Sequence, residues 1–470
     1  MMNPRELSSL ENFFYHRSEV NLHSCFYLAL LLNALPAKKQ LYKALQDTIA
    51  TYPQLHQNIT KNKEDEYLYV EDIKKTPIEF EDVVEFVAWE KFEEKEINSI
   101  FQTYNFHYRN DRPLWKILVV PSLNTFILLL DHALFDGISA VKIWETFMEK
   151  LNKSSEIENI DVTVPLYIPE ENHEGTLVAS QHPYDIWPVP IAWKVKSFIA
   201  TKLFNWYPQA IISPNSNLFE FKGYKFPEGF LSQYPKDGVT SFKVRNDNTQ
   251  KLIKMAPGKL ETILKNCKTN AVSLTSYIVA IIIIALRNVT QESYTGNLLK
   301  VSIPINTRNI CANQVNTPEE MLQLGNFVGS MDFEHPINSD SGIWDIARDV
   351  QQFITKNTTV GISDIINNIK LLDGINCEEF VKKKIEFSSN GPASTFEVTN
   401  LGFQSFKGSC MESSSYFIKD AVFNEPQGMS DIFTCSVIST PIGGLRCSLS
   451  YPKDIAQEFE PCWDYIKNNF

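Results

Sequence analysis

The segment from Thr125 to Gly137, with the sequence TFILLLDHALFDG, decides both the predicted fold and the predicted site of this chain. Its first six residues form an apolar run of strand length, and apolar residues recur with helical spacing after residue 137. The segment therefore predicts a strand, a tight turn and the start of a helix. His132 stands just after the strand, where a side chain can project into a cleft, and Gly137 supplies backbone freedom that the turn can use.

His132 is the predicted catalytic residue. A neutral imidazole, with an ordinary pKa of about 6.5, is the usual general base at cellular pH. Asp136 follows four residues later and is predicted to hold the loop rather than to relay protons. Two alternatives stay open: a histidine that only caps or hydrogen-bonds the turn, and an Asp136 that orients His132 as in a Ser-His-Asp triad.

Patterns on both sides of this segment predict an α/β fold of the α+β kind, built as two halves. Apolar runs of strand length, in addition to 125–130, are Phe26–Leu32, Trp115–Val120, Val301–Ile305, Phe396–Val398, Phe433–Ser439 and Leu445–Tyr451. Helical spacing covers residues 41–52, 138–151, 274–287 and 343–353. Ser273 is the predicted N-cap of the third helix, which is apolar on nearly all sides and therefore predicted to be buried.

A change of composition separates the two halves. Prolines recur between residues 154 and 240, so we predict an N-terminal half (1–170) carrying HxxxDG, a crossover linker (171–240) and a C-terminal half (241–470). The linker holds one long apolar segment, Ile191–Tyr207, which also carries three lysines. Two interpretations of it stay open: a packed connector helix, or a helix that lies on a membrane surface.

Composition excludes several classes of function. Hydrophobic residues make up 43% and charged residues 21%, which are values of a globular chain. The formal net charge of −12 disfavours nucleic acid as a partner and disfavours docking on anionic lipid by charge alone. The eight cysteines form no CxxC pair and have no histidine at metal spacing, so neither a metal site nor a disulfide scaffold is predicted.

The N-terminus and the apolar runs predict an intracellular protein. Met1–Glu6 has no apolar signal core, and the longest apolar run, Tyr277–Leu286, is about half of the roughly 20 residues that span a bilayer. We therefore expect a protein that is not secreted and has no transmembrane helix, and that is cytosolic or peripheral on the endoplasmic reticulum. The motifs GxSxG, GxxxxGK[ST], GxGxxG and HExxH are all missing, which disfavours elbow-type serine hydrolases, P-loop enzymes, dinucleotide-binding folds and zincins.

Two further motifs hold candidate site residues. In Ser302–Arg308, an arginine just past an apolar strand needs a carboxylate partner if it is buried, and Asp136 is the predicted partner. Phe396–Gly402 reads as a strand end with a glycine turn, and Thr399 and Asn400 in it are the candidates for cofactor contacts.

Together these motifs resemble the HxxxD acyltransferase superfamily, and more narrowly the fungal alcohol acetyltransferase (AATase) family. Leu7–Arg17 is similar to the opening segment of that family, and the remaining motifs follow in family order: His132–Gly137, Asn306–Arg308, Gly325–Gly329 and Thr399–Gly402. The resemblance covers nearly the whole chain. It implies two chloramphenicol-acetyltransferase-like halves with a central channel, and a structural role at the active site for Asp136, Gly137 and Arg308.

The resemblance also implies the reaction. Acetyl-CoA would be the co-substrate, and His132 would remove the proton of the acceptor as it attacks the thioester, with no acyl-enzyme and no metal. The plant DFGWG motif is absent, so coenzyme-A contacts do not carry over, and the oxyanion donor is not identified. Asp131 stands where condensation domains have a second histidine, which favours a coenzyme-A enzyme over one fed by a carrier protein.

The length and the short N-terminal segment are similar to the branch of the family that N-acetylates sphingoid bases and detoxifies myriocin. The expected function is therefore transfer of acetyl to the amine of a hydrophobic, sphingoid-like amino alcohol, with a possible peripheral membrane contact. Two alternatives are an alcohol O-acetyltransferase that makes acetate esters and a non-catalytic binder of acyl chains.

Overall fold

The computed structural model describes residues 4–20, 22–23, 25–62, 67–154, 161–169, 181–212, 217–225, 248–387, 392–411, 414–428 and 430–470. The helices in these ranges are α1 (Ser9–Glu19), α2 (Lys38–Thr51), α3 (Phe80–Val83), α4 (Glu94–Thr103), α5 (Gly137–Ser154), α6 (Ile191–Trp206), α7 (Gln209–Ile212), α8 (Pro257–Thr269), α9 (Leu274–Leu286), α10 (Arg308–Gln314), α11 (Ile343–Thr359), α12 (Ile362–Ile369), α13 (Cys377–Phe387) and α14 (Ala456–Asn469). The strands are β1 (Arg5–Glu6), β2 (Phe26–Leu32), β3 (Gln57–Lys61), β4 (Leu68–Asp72), β5 (Val84–Phe86), β6 (Trp115–Val120), β7 (Thr125–Leu130), β8 (Glu220–Phe221), β9 (Asn248–Met255), β10 (Tyr294–Thr295), β11 (Leu298–Asn306), β12 (Val328–Pro336), β13 (Ser394–Phe403), β14 (Ile418–Asn424), β15 (Asp431–Thr440) and β16 (Gly444–Pro452).

The first lobe is a five-stranded sheet in the order β14-β2-β7-β6-β5. Strands β2, β6 and β7 have the bounds that their apolar runs predict, because both faces of this sheet are covered and neither face needs polar residues. Helices α2 and α5 pack with each other on one face, and α4 covers the other. Strand β7 is fully buried in the middle of the sheet and ends at the predicted site.

The second lobe is a six-stranded sheet in the order β12-β11-β13-β15-β16-β9. The predicted buried helix is α9, and the Ser273 hydroxyl caps it by accepting a hydrogen bond from the Ser276 amide at 3.2 Å. Helices α11 and α14 contact α9, which places it inside the lobe and explains its lack of a polar face.

One strand from the C-terminal half of the sequence belongs to the sheet of the first lobe, which the predicted boundaries do not show. Strand β14 lies within the segment 241–470 assigned to the C-terminal half, yet it pairs with β2 as an edge strand of the first sheet. The boundary at residue 241 thus separates the lobes in sequence but not completely in space. Asn424, at the end of β14, leads the chain back towards the second lobe and to Glu425 in the central cavity.

The predicted linker 171–240 is only partly within the described residues, since 171–180, 213–216 and 226–240 lie outside them. The helix expected in it is present as α6, and its packed side contacts the second lobe, where Phe204 lies 5.8 Å from Phe380 between ring centroids. Within the described ranges, no single helix is long and apolar enough to cross a bilayer; α8 and α9 reach that length only together, and they are bent by 96° to each other.

Candidate active site

His132 lies at the bottom of a cavity between the two lobes. The backbone of β7 ends at Leu130, the Asp131 amide donates to the Leu114 carbonyl at 3.0 Å, and α5 begins at Gly137. The resulting turn points the imidazole into a cavity of about 140 Å³. The strand, turn and helix that the sequence predicts around His132 are therefore confirmed.

Burial controls the charge of His132. The residue is 8% exposed, and its ring packs against Phe14 at 4.4 Å and Phe26 at 5.0 Å between centroids. Desolvation, followed by the nearby positive charge of Arg17, lowers the pKa of His132 to about 3. The imidazole is therefore neutral throughout the physiological range and holds a lone pair for a proton.

The predicted ion pair between Asp136 and Arg308 is present and buried. Arg308 Nη1 donates to Asp136 Oδ2 at 2.7 Å and Nη2 to Oδ1 at 2.9 Å, a bidentate contact. Burial alone would raise the pKa of Asp136, but the Arg308 charge and the hydrogen bonds around the carboxylate bring it below its ordinary value. Arg308 is the first residue of α10, two residues beyond the end of β11 at Asn306.

The same pair holds the backbone around the histidine. Asp136 also accepts from the Phe327 amide at 2.9 Å, and Arg308 Nη2 donates to the Gly325 carbonyl at 3.0 Å. Asn326, between these two residues, donates from Nδ2 to the His132 carbonyl at 2.7 Å. The arrangement fits the predicted structural role of Asp136 and does not fit a triad, because the Asp136 oxygens are occupied by Arg308, Ser139 and Phe327.

Gly137 is required for a different reason from the predicted one. Its backbone is not in the left-handed region that favours glycine. Instead, a Cβ at this position would lie 2.5 Å from Cδ2 of Leu401, so a side chain at the start of α5 would have to displace the Leu401 side chain of β13. The glycine therefore serves the packing of the two lobes.

The two candidates for cofactor contacts lie in the wall of the cavity. Thr399 and Asn400 both line it, and Asn400 is fixed by accepting from the Gly402 amide at 2.7 Å and donating to Thr275 at 3.0 Å. Asn400 also lines a second cavity of about 450 Å³, on the outer side of β13 next to Phe403. Asn400 thus lies between the two cavities, whereas Thr399 lines only the first.

Three charged residues of the cavity were not predicted as site residues: Arg17, Glu397 and Glu425. Arg17 and Glu397 stand in the motifs quoted above, but nothing in the sequence shows that they meet. The sequence around Glu425 contains no motif that marks it as a site residue, because Glu425 reaches the site only where the chain returns from the first lobe after β14. Among the described residues, no group of three or more His, Cys, Asp or Glu side chains is arranged to hold a metal ion.

Asp131, which stands where a second histidine would mark a condensation domain, has a structural environment. Its carboxyl group accepts hydrogen bonds from the Tyr108 hydroxyl at 2.8 and 2.9 Å and from the Ala133 amide at 2.9 Å. Burial outweighs these bonds and raises the pKa of Asp131 to about 6.

Solved structures define the class to which this geometry belongs. The first condensation domain of the calcium-dependent antibiotic synthetase matches with a TM-score of 0.63 at 11% identity, over 99% of this chain and 96% of that one. The TRI3 trichothecene 15-O-acetyltransferase of Fusarium sporotrichioides matches with a TM-score of 0.63 at 10% identity, over 99% and 95%. The chain therefore has the two-lobed, chloramphenicol-acetyltransferase-like fold that these structures share.

The sequence comparisons narrow the class. The family model for alcohol acetyltransferases matches residues 6–465. The N-acetyltransferase SLI1 of Saccharomyces cerevisiae is 41% identical over 465 residues, which is 98% of this chain and 98% of that protein. The chain belongs to the alcohol acetyltransferase family, as its motifs predict, and it is an acetyltransferase.

Proposed function

We propose that this enzyme transfers the acetyl group of acetyl-CoA to the primary amine of a long-chain, sphingoid-like amino alcohol. The observation that carries the proposal is a neutral, buried His132 facing a cavity between the lobes, in a chain 41% identical to a protein named as an N-acetyltransferase. Acetylation would turn a cationic amine into a neutral amide, which would detoxify a sphingoid-like compound.

The chemistry follows from the state of His132. The amine nitrogen attacks the thioester carbon, and the tetrahedral intermediate carries a positively charged N–H that is more acidic than that of the free ammonium ion. The low pKa of His132 keeps the imidazole unprotonated before the attack, so its free nitrogen is available to accept that proton as the charge develops. His132 then gives the proton to the sulfur of coenzyme A as the C–S bond breaks.

The cavity walls support a hydrophobic acceptor. Phe14, Phe26 and Phe423 line one part of it, and Ile138, Pro304 and Leu401 line another. Aromatic and aliphatic walls of this kind hold hydrocarbon chains. We assign the entry of acetyl-CoA to the side of Thr399 and Asn400, because Asn400 lines both the first cavity and the larger second one.

The test is a reaction of the purified protein with isotopically labelled acetyl-CoA and a panel of sphingoid amines, long-chain alcohols and short alcohols, with products identified by mass spectrometry. We expect labelled N-acetyl sphingoid amides as the main products. Acetate esters of ethanol or isoamyl alcohol at equal or higher rates would instead support the O-acetyltransferase. Binding of long-chain amines with no transfer to any acceptor would leave only the non-catalytic binder.

A further inference from the structure

Glu397 and Glu425 form a pair of carboxyl groups in the cavity wall beside His132, called the glutamate pair below. Glu397 lies on β13 and Glu425 directly follows β14, so two distant parts of the chain supply them. Glu425 is 9% exposed, and its Oε2 lies 3.7 Å from His132 Nε2. Burial raises the pKa of Glu425 to about 7, and burial together with the Glu425 charge holds the pKa of Glu397 well above its ordinary range. Two carboxyl groups buried in contact with each other do not both ionise readily, so they share a proton.

The surroundings of the glutamate pair carry fewer positive charges than carboxyl groups. Arg17 lies close enough to stabilise Glu397, Glu425 and Asp131, and its guanidinium stacks at 4.2 Å on the Phe14 ring. Among the residues that the structure describes around the pair, one cation therefore faces three carboxyl groups, and the charge of Asp431 further raises the pKa of both glutamates. The nearby Lys384 interacts mainly with Asp431 rather than with the glutamate pair. The Asp431 charge is the largest that stabilises the ammonium form of Lys384, and Lys384 Nζ donates a hydrogen bond to the Ser430 hydroxyl.

The histidines around the pair do not supply the missing charge. Both His23 and His132 are less than a tenth exposed, and burial lowers the pKa of each below its ordinary value. Within the described residues, Nδ1 of His132 and both ring nitrogens of His23 have no hydrogen-bond partner. Of these two residues, His132 lines the cavity, and its unpaired Nδ1 is a buried polar atom for which a catalytic role or a bound ligand is an explanation.

We propose that the glutamate pair binds the ammonium group of the acceptor and makes the enzyme select amines over alcohols of the same length. The proposal rests on the acetyl transfer proposed above and names the residues that would choose its acceptor. An ammonium nitrogen bound to Glu425 would also lie near His132, since Glu425 Oε2 and His132 Nε2 are only 3.7 Å apart. An ammonium ion can replace the shared proton as the positive charge beside the two carboxylates. A neutral alcohol cannot, so the pair adds nothing to its binding.

The protons balance as follows. The acceptor enters as R–NH3⁺ and the shared proton of the pair leaves to solvent. R–NH3⁺ then transfers one proton to the pair and becomes R–NH2, which forms the C–N bond with the acetyl carbon. His132 moves the second proton from the cationic intermediate to the thiolate as the C–S bond breaks. The net reaction gives the amide, free coenzyme A and one proton.

The experiment compares dodecylamine and dodecanol as acceptors for wild type, Glu397→Gln and Glu425→Gln, each assayed for thiol release with product identification by mass spectrometry. Glutamine keeps the shape of the side chain and removes its charge. Because a hydrogen bond to a charged group outweighs a neutral one, kcat/KM for the amine should fall about 10-fold to 100-fold, and by a clearly larger factor than kcat/KM for the alcohol. Glu334→Gln, an exposed position on β12, is the matched control and should change neither.

A measurement on wild type alone makes the test independent of whether the variants fold. Calorimetric titration in two buffers of different ionisation enthalpy, without acetyl-CoA, should show proton release when dodecylamine binds and none when dodecanol binds. Equal losses of amine and alcohol activity in the variants, or equal proton release by the two ligands, would overturn the ammonium site and leave the acetyl transfer standing. A wild type that acetylates neither acceptor would instead overturn the proposed function itself.

A second inference comes from a different part of the molecule, the solvent side of α6. Two aromatic residues turn inward on this helix, the half-buried Trp193 and the buried Phe204, and the other inward residues are small or polar: Ser197, Ala200 and Thr201. The large apolar residues turn outward and are 51 to 82% exposed: Ile191, Val195, Phe198, Ile199 and Trp206. They recur at helical spacing along one stripe, so the amphipathic pattern of α6 is the reverse of that of a packed connector.

We infer that this stripe docks on a lipid surface. Three lysines stand beside or within it, Lys194, Lys196 and Lys202, and the helix contains no acidic residue, although the whole chain has a net charge of −12. Apolar and aromatic side chains with lysines around them match the interface of an anionic membrane. A second copy of the chain is a poorer fit, because two such stripes would bring six lysines together.

Vesicle flotation tests the docking. Wild type should float with vesicles of phosphatidylcholine mixed with phosphatidylserine, and Phe198→Ser with Trp206→Ser should lower the bound fraction at least about tenfold, since each removes a large exposed apolar side chain. Val360→Ser, which removes an equally exposed apolar residue at the end of α11, should not change it. Absence of wild-type binding, equal binding by all variants, or a dimer in solution that the double variant abolishes would overturn the inference.

Discussion

Replacing Arg308 with alanine removes the cation from a carboxylate that has almost no access to water. The side chains of Arg308 and Asp136 are 7% and 3% exposed, and Asp136 keeps three uncharged donors after the change: the Ser139 amide, the Ser139 hydroxyl and the Phe327 amide. A buried charge left without its partner typically lowers the free energy of unfolding by about 3–5 kcal/mol. We expect Arg308→Ala to fall in this range.

The reverse change should have a similar effect, for a related reason. Asp136→Asn leaves a buried guanidinium that still donates to the Leu322 carbonyl at 2.8 Å and the Gly325 carbonyl at 3.0 Å. We therefore expect this variant to lower the free energy of unfolding by about 3 kcal/mol. In the double variant neither charge is stranded. The double variant should therefore lose about 2–3 kcal/mol less free energy of unfolding than the two single losses added together.

The assay is urea unfolding followed by tryptophan fluorescence, with acetyl transfer measured on the same preparations. The exposed pair of Asp345 and Arg348, which also has a short contact of 2.6 Å, is the matched control, and Arg348→Ala should lower the free energy of unfolding by less than about 1 kcal/mol. A double variant whose loss equals the sum of the two single losses would refute the reasoning. So would an Arg308→Ala protein as stable as wild type.

Three further predictions concern the same cavity. His132→Ala should lower the rate of acetyl transfer by about 10²–10⁴ while the protein still folds, because the imidazole is the base; near-normal turnover would contradict the role of His132. Gly137→Ala should lower the free energy of unfolding by about 1–3 kcal/mol, since the added Cβ overlaps the Leu401 side chain, and Leu401→Ala in the same protein should recover part of the loss if this contact is the cause. The folded-state pKa of Glu425 is raised to about 7, so its buried carboxyl favours the folded state below the unfolded pKa and loses this contribution as the pH rises through 7. The free energy of unfolding of Glu425→Gln, relative to wild type, should therefore increase between about pH 5 and pH 8; a difference that is flat or falls with pH would refute the assigned shift.

The local elements of this chain follow from its sequence because each depends on neighbouring residues. The runs Phe26–Leu32, Trp115–Val120 and Thr125–Leu130 predict their strands with the observed bounds, since a strand covered on both faces needs continuous apolar residues. His132 is identifiable for the same reason: its strand, turn and helix form one uninterrupted segment. The partner of Asp136 is also predictable from chemistry, because a buried arginine after a strand needs a carboxylate.

Other features depend on contacts between distant parts of the chain. The close approach of Leu401 explains Gly137, and no property of residues near 137 indicates it. The outward apolar face of α6 is likewise a tertiary fact, because the sequence gives the spacing of the stripe but not the side of the helix on which the second lobe packs.

The sequence alone therefore determined the strand, turn and helix around His132, the family, and the need for a charged partner at Arg308. The tertiary structure alone decided which charges share the cavity. Arg17, Glu397 and Glu425 come from α1, β13 and the segment after β14, and they meet because β14 leaves its own lobe to complete the first sheet. Strand exchange between lobes is set by long-range pairing of β14 with β2, and a pattern of neighbouring residues carries no record of such pairing.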